Sequence, residues 1–474
     1  MPHTNPLIQQ TATETVELLR IGAISPHDCL DALAARIAEV NPHVNALPTL
    51  CFERAKAAAD ELMKKPVAER GLLAGLPVAI KDLTEVKGVR TTHGSPIFSD
   101  HISSFSDILV ERIEDNGALI YAKSNTPEFG AGANTFNEVF GATLNPWNTS
   151  CSAAGSSGGA AVALATGMAW LAHGSDLGGS LRNPASFNGV VGLRPTPGRV
   201  AHSPGLKVDN RLSVEGPMGR NVEDTALMLD AMVGEDARDA VSLPAPKTSF
   251  LAASRSGWKP LKVAYSPDLG ITPVDPEVVA ITRAAANQLT AANVVVEEAH
   301  PDLSEAHDTF QTLRALGFAI ARKNLLETHR YQLKPEVIWN IEKGLNLKAD
   351  DIIRAEIARA TMIKRMFVFF ETYDLLLCPA TIVPAFPIEK RYLESCNGVV
   401  FDNYVEWLAI VYAITLLGVP ALSLPAGFTK NGMPIGLQII APPRAEARLL
   451  AGAKLLEDII GIKNSVPILP RLGT

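Results

Sequence analysis

Apolar positions in the first 70 residues recur at helical spacing. "ETVELLRIGA" (14–23) and "DCLDALAARIAEV" (28–40) keep them at i, i+3 and i+4, and "ISPHD" between them supplies a stop and a new start. From Gly71 the pattern shortens. "LPVAIKDL" (76–83), "ALIYAKS" (118–124), "VVGLRPT" (190–196) and "LKVAYSP" (261–267) are brief apolar runs that predict buried strands. "SDILVERIEDNG" (106–117) is amphipathic and stops at Asn-Gly, and "AAVALATGMAWLA" (160–172) reads as a buried helix. The stretch 270–370 is mainly helical in pattern, including "DPEVVAITRAAANQLTAA" and "DDIIRAEIARATMIKRMFVFFE". "YDLLLCPAT" and "GMPIGLQIIAP" then return to strand character before a closing helix, "EARLLAGAKLLEDI". Strands alternating with helices predict an α/β architecture with a mostly buried sheet. Without an internal repeat or a low-complexity linker, one domain over 1–474 is expected, with a helical lobe at about 300–370.

One segment imitates a membrane span: Trp407 to Thr429 carries no charge. Pro420 and Pro425 interrupt it after about 13 residues, where a spanning helix needs about 20. A buried helix at about 407–417 and a buried strand at 421–425 are expected instead. The N-terminus shows no basic stretch followed by an apolar core, so a cytoplasmic, soluble protein is the expectation. Net charge is −7, and no basic run exceeds two residues, which argues against nucleic-acid or membrane partners. The five scattered cysteines fit reduced thiols, and the ten histidines form no metal-binding motif, so no metal and no cofactor are expected.

The chemistry gathers between Gly155 and Pro184, "GSSGGAAVALATGMAWLAHGSDLGGSLRNP", where two Ser/Gly clusters flank a small, apolar run. Gly155–Gly159 matches G-x-S-x-G with Ser157 at its centre. The α/β-hydrolase elbow, however, needs a strand before it and a late histidine, and no histidine follows His329. No P-loop occurs. A serine nucleophile without histidine needs another base, and a buried lysine of lowered pKa can serve. Lys81, inside "LPVAIKDL", is the candidate; strand alternation sends Asp82 to the opposite face. A lysine snorkelling from the strand end into solvent is the alternative.

Taken together, the Gly-Ser cluster 155–159, "GSDLGGSLRNPA" (174–185), "GLPVAIKD" (75–82), "NPWN" (145–148), "GVVGLRPTPGRV" and "GMPIGLQIIAP" resemble the amidase signature family. The likeness spans nearly the whole chain and is strongest over about 70–205. It implies a mixed, twisted β-sheet sandwiched between helical layers. It also implies amide hydrolysis by Ser180 as nucleophile, Ser156 as the bridging serine held by a cis peptide bond, and Lys81 as base. The oxyanion would meet backbone N–H groups of Leu177, Gly178, Gly179 and Ser180. Asp176 and Arg182 read as a loop-fixing pair, and Ser157 and Ser175 as local hydrogen-bonding support. Ala153 and Ala154 stand where Pro-Gly is common in the family, Leu177 where threonine or isoleucine is frequent, and Asn188 where cysteine often lies.

"EFGAGAN" (128–134) is expected to border the acyl site, making Phe129, Gly130 and Ala131 substrate-binding candidates, with the rest of the pocket from 300–415. The sparse charge in these motifs favours an uncharged or aromatic small-molecule amide, with carbamates and oligoamides in the same class. A homodimer is compatible with this reading. The alternative is a glutaminase, the A-type subunit of a tRNA-dependent amidotransferase, which would act on glutamine in a complex.

Overall fold

The computed structural model describes residues 5–203 and 212–473. Eleven strands make one sheet: β1 (Thr49–Leu50), β2 (Pro77–Lys81), β3 (Leu119–Ser124), β4 (Leu171–Asp176), β5 (Val191–Arg194), β6 (Val214–Gly219), β7 (Lys262–Tyr265), β8 (Val295–Glu298), β9 (Leu375–Pro379), β10 (Ala421–Phe428) and β11 (Pro434–Ile440). Their order across the sheet is β1-β3-β2-β4-β6-β5-β10-β11-β9-β7-β8. β2 runs parallel to both β3 and β4, and β7 runs parallel to both β8 and β9. All other neighbours are antiparallel, so the sheet is mixed. Every residue of β2, β3, β9 and β11 is buried, because helices cover both faces.

Local signals act as expected at several element ends. Ser25 and Asp28 form a reciprocal capping box for the Pro26–Val44 helix, with proline at its first turn. That helix stops at Asn45, which adopts the left-handed conformation with φ 50°. The uncharged segment near 407 forms the Ala409–Leu416 helix followed by β10. Among the described residues, no helix is long and apolar enough to cross a membrane.

The run 160–172 departs from expectation. Its helix spans Gly158–Ala165 only, Gly167 turns the chain at φ 75°, and Leu171 opens β4. An apolar run carries no period that separates helix from buried strand, so the pattern hides this boundary. A helix therefore follows the first Ser/Gly cluster, and a strand delivers the second. β6, "VEGPMG", was likewise unforeseen, because glycine and proline normally mark turns. Gly216 is there for close approach: a Cβ would lie 2.4 Å from the Leu193 carbonyl oxygen.

Candidate active site

Lys81 is the last residue of β2 and Asp176 the last of β4. These strands are parallel, so the loops that follow them leave the same edge of the sheet. The Gly158–Ala165 helix points its N-terminus at this edge, with Ser156 and Ser157 just before it. Glycines make the approach possible. A Cβ at Gly158 would fall 2.3 Å from Thr135 Oγ1, one at Gly159 2.3 Å from the Asn125 nitrogen, and one at Gly174 2.7 Å from Ser157 Oγ. The Ser/Gly clusters are thus packed contacts and not a flexible linker.

Lys81 is fully buried, and its Nζ hydrogen-bonds three hydroxyls: Ser156 Oγ at 2.7 Å, Ser157 Oγ at 2.9 Å and Ser175 Oγ at 3.0 Å. Among the described residues, no carboxylate pairs with it. Asp82, on the other side, lies 3.4 Å from Lys123 Nζ and accepts the Thr92 hydroxyl at 2.5 Å. Burial pulls the Lys81 amine down from 10.5 to about 7, against the opposing pull of Glu215 and then Asp176. The snorkelling alternative is therefore excluded. The Gly155–Ser156 peptide bond is cis.

The Asp176 carboxylate organises the second loop. It accepts Gly179 N–H at 3.0 Å and Leu181 N–H at 3.2 Å, and it receives Arg182 through Nε at 3.0 Å and Nη2 at 2.9 Å. Arg194 Nη1 stands 3.3 Å away. Burial alone would raise this carboxyl, but the guanidiniums of Arg182 and Arg194 outweigh it and hold the group well below the usual range. Gly179, at φ 102°, leaves no room for a side chain: a Cβ would sit 2.4 Å from Val411 Cγ2.

A cavity of about 310 Å³ opens on this edge, lined by Ser156, Ser175, Leu177, Gly178 and Ser180 together with Phe129, Gly130 and Ala133. Ser180 is half-buried, and its carbonyl accepts Ser157 N–H at 3.2 Å. Two expected contributors stand elsewhere. Ala131 is not on the cavity wall, since its carbonyl turns to Lys334 Nζ at 2.5 Å. Gly179 is buried off the wall with its N–H spent on Asp176, which leaves Leu177, Gly178 and Ser180 as the cavity-lining members of the expected oxyanion group. Among the described residues, no His/Cys/Asp/Glu cluster has the arrangement to hold a metal ion.

Three features escaped the sequence reading. His173 accepts Lys81 N–H through Nδ1 at 3.4 Å, which leaves Nε2 to donate to Glu215 at 2.7 Å. Both residues lie on strands that periodicity did not reveal. Glu215 also reaches the cavity. The third feature is charge: Arg314 and Arg322 line the same cavity beside Phe310 and Phe318. All four project from the Ala306–His329 helix, which lies within the stretch 300–415 expected to supply the rest of the pocket.

The fold is that of the amidase signature enzymes. The family model Amidase matches residues 28–450, and the chain belongs to that family. It is an amide-hydrolysing enzyme acting on C–N bonds. It is 35% identical over 457 residues to an acylamidase of Rhodococcus erythropolis, covering 95% of each chain. It is also 35% identical to the A-type subunit of the glutamyl-tRNA(Gln) amidotransferase of Moorella thermoacetica, covering 94% of this chain and 96% of that one. Among solved structures, a bacterial aryl acylamidase of the amidase signature family superimposes with TM-score 0.90 at 26% identity, covering 98% of this chain and 100% of the other. A substrate complex of 6-aminohexanoate cyclic dimer hydrolase matches with TM-score 0.88 at 28% identity, covering 98% of this chain and 100% of that one.

Proposed function

We propose that Ser180 cleaves an amide with an aromatic or apolar body through an acyl-enzyme, with Ser156 relaying protons to and from Lys81. The observation that carries this is the buried Lys81 amine, 2.7 Å from Ser156 Oγ with no ion-paired carboxylate among the described residues. A neutral amine has two N–H donors and one lone pair. Ser157 and Ser175 accept the two N–H groups, which turns the lone pair toward Ser156. Lys81 then takes the Ser156 proton as Ser156 takes the Ser180 proton, and Ser180 Oγ bonds the carbonyl carbon. Leu177, Gly178 and Ser180 line the cavity, and their N–H groups would meet the negative charge developing on the carbonyl oxygen. The proton returns through Ser156 to the leaving nitrogen, the C–N bond breaks and the amine departs. Water repeats the sequence on the ester and restores Ser180.

Labelling tests the assignment. A serine-directed phosphonate should modify Ser180, and Ser180→Ala should abolish turnover with an unchanged melting temperature. Modification of Ser157 would refute it. A second reading, glutaminase action within an amidotransferase, draws on the 35% identity to the A-type subunit from Moorella thermoacetica. The purified chain separates the two: unaided release of p-nitroaniline supports the free-standing hydrolase, and a requirement for glutamine supports the amidotransferase component.

A further inference from the structure

One wall of the cavity is a single face of the Ala306–His329 helix, carrying Phe310, Arg314, Gly317, Phe318 and Arg322. The two guanidiniums bracket one ring: Arg314 Cζ lies 4.7 Å and Arg322 Cζ 5.1 Å from the Phe318 centroid. Arg322 also stacks on Phe129 at 4.6 Å. Arg314 donates to the Tyr404 hydroxyl at 2.8 Å and is only 7% exposed. Arg322 differs. Its Nε is sealed from solvent and has no acceptor among the described residues. Stacking occupies the faces of a guanidinium, whereas its donors point outward in the plane.

The carboxylates in the neighbourhood hydrogen-bond elsewhere, although the charge of Glu128 still acts on Arg322. Glu215 is taken by His173 at 2.7 Å, and Glu128 accepts the Ser95 hydroxyl at 2.6 Å and Lys334 N–H at 2.9 Å. Burial, and after it the charge of Arg314, pulls Arg322 down to about 10, so the wall holds two cations that repel each other. Two like charges held side by side on a partly exposed wall repel each other unless an anion joins them. Gly317 adds an independent sign. Glycine inside a helix costs about 1 kcal/mol relative to alanine, and a Cβ here would meet nothing within 4 Å. Packing does not demand this glycine; what it supplies is room in the cavity beside both arginines.

We propose that Arg322, supported by Arg314, receives a carboxylate carried by the substrate at the end remote from its scissile amide. The substrate is then an amide with an apolar or aromatic body and an anionic terminus, not a wholly uncharged molecule. This rests on the amide-hydrolase reading above and narrows its substrate class.

The test uses the purified full-length enzyme and p-nitroanilides in matched pairs of several chain lengths. One member of each pair ends in a carboxylate and the other in an isopropyl group of similar shape. At low salt the best carboxylate should exceed its neutral partner in kcat/KM by about 10- to 100-fold, the span of a charge-assisted hydrogen-bonded pair. The ratio should fall toward one in Arg322→Gln, be partly kept in Arg322→Lys, and shrink as salt is added to the unmodified enzyme. The salt series decides the matter if Arg322→Gln fails to fold. A neutral member that matches or beats its partner at every length overturns the proposal, and so does a ratio that persists in Arg322→Gln. Calorimetric binding of the same pairs to Ser180→Ala separates the two readings. A carboxylate preference there upholds the anion site whatever the fate of the Ser180 assignment, and equal binding of both members sinks the anion site alone.

Discussion

Loss of the Lys81 amine should remove both rate and pH dependence. Burial places this amine at about 7, where half the molecules carry the neutral, basic form at neutral pH. A lysine at its ordinary value would be neutral in roughly one molecule in three thousand at pH 7, so the site raises the base population by about a thousandfold. In the native enzyme kcat/KM should therefore climb about tenfold between pH 6 and pH 8 and be flat above, following one deprotonation. Lys81→Ala should lose about 10²- to 10⁴-fold in rate and lose that acid limb. Amide cleavage should suffer more than ester cleavage, because only the amine must be protonated to leave. Glu215 is the larger of the two charges that hold the amine up. Glu215→Gln should thus move the limb to lower pH, by roughly half to one unit. Linkage supplies a second readout. With the folded value below the unfolded one, the unfolded chain binds the extra proton between about pH 7 and 10.5, so this residue makes stability rise with pH across that window. Rates measured from pH 5.5 to 9.5 on matched p-nitroanilide and p-nitrophenyl ester substrates give the answer. An acid limb near pH 7 that survives in Lys81→Ala would assign it to another group and refute the reasoning.

Arg182 is fully buried and joins Asp176 to Val411 O at 2.9 Å, Gln438 Oε1 at 2.5 Å and Thr415 Oγ1 at 3.0 Å. Arg182→Met strands the carboxylate and should cost about 3–5 kcal/mol, read as a lower urea midpoint; an unchanged midpoint would show that Arg194 alone suffices. Gly317→Ala should raise the melting temperature through helix propensity, worth about 1 kcal/mol, while raising KM for bulky aromatic substrates. A lowered melting temperature would mean that the space beside Gly317 is already filled.

Much of this protein was readable along the chain. Helices with capping chemistry and a 3.6-residue period, such as Pro26–Val44, announce themselves, because local hydrogen bonds and one-sided burial act over a few residues. Short β-rich runs revealed β2, β3, β9 and β11 for the same reason. Lys81 was marked as a candidate by its apolar run, and Ser156 and Ser180 through the resemblance that their Gly-Ser motifs carry. The structure brings Lys81 and Ser156 into a hydrogen bond and sets Ser156 and Ser180 on one cavity.

Tertiary structure decided what depends on contacts distant in sequence. β4 and β6 are strands because each accepts the other, with Leu171 facing Gly219 at one end of the pairing and Asp176 facing Val214 at the other. Pairing there overrides the local preference of glycine and proline for turns. The lowered pKa of Lys81 follows from complete burial, a property of the whole packed interior. Whether Gly179 N–H faces the cavity or the Asp176 carboxylate was likewise outside the reach of spacing. The arginines of the Ala306–His329 helix show the limit most plainly. Spacing gives no sign that Arg314 and Arg322 share a cavity with Ser156 and Ser180; the fold turns their helix face onto it.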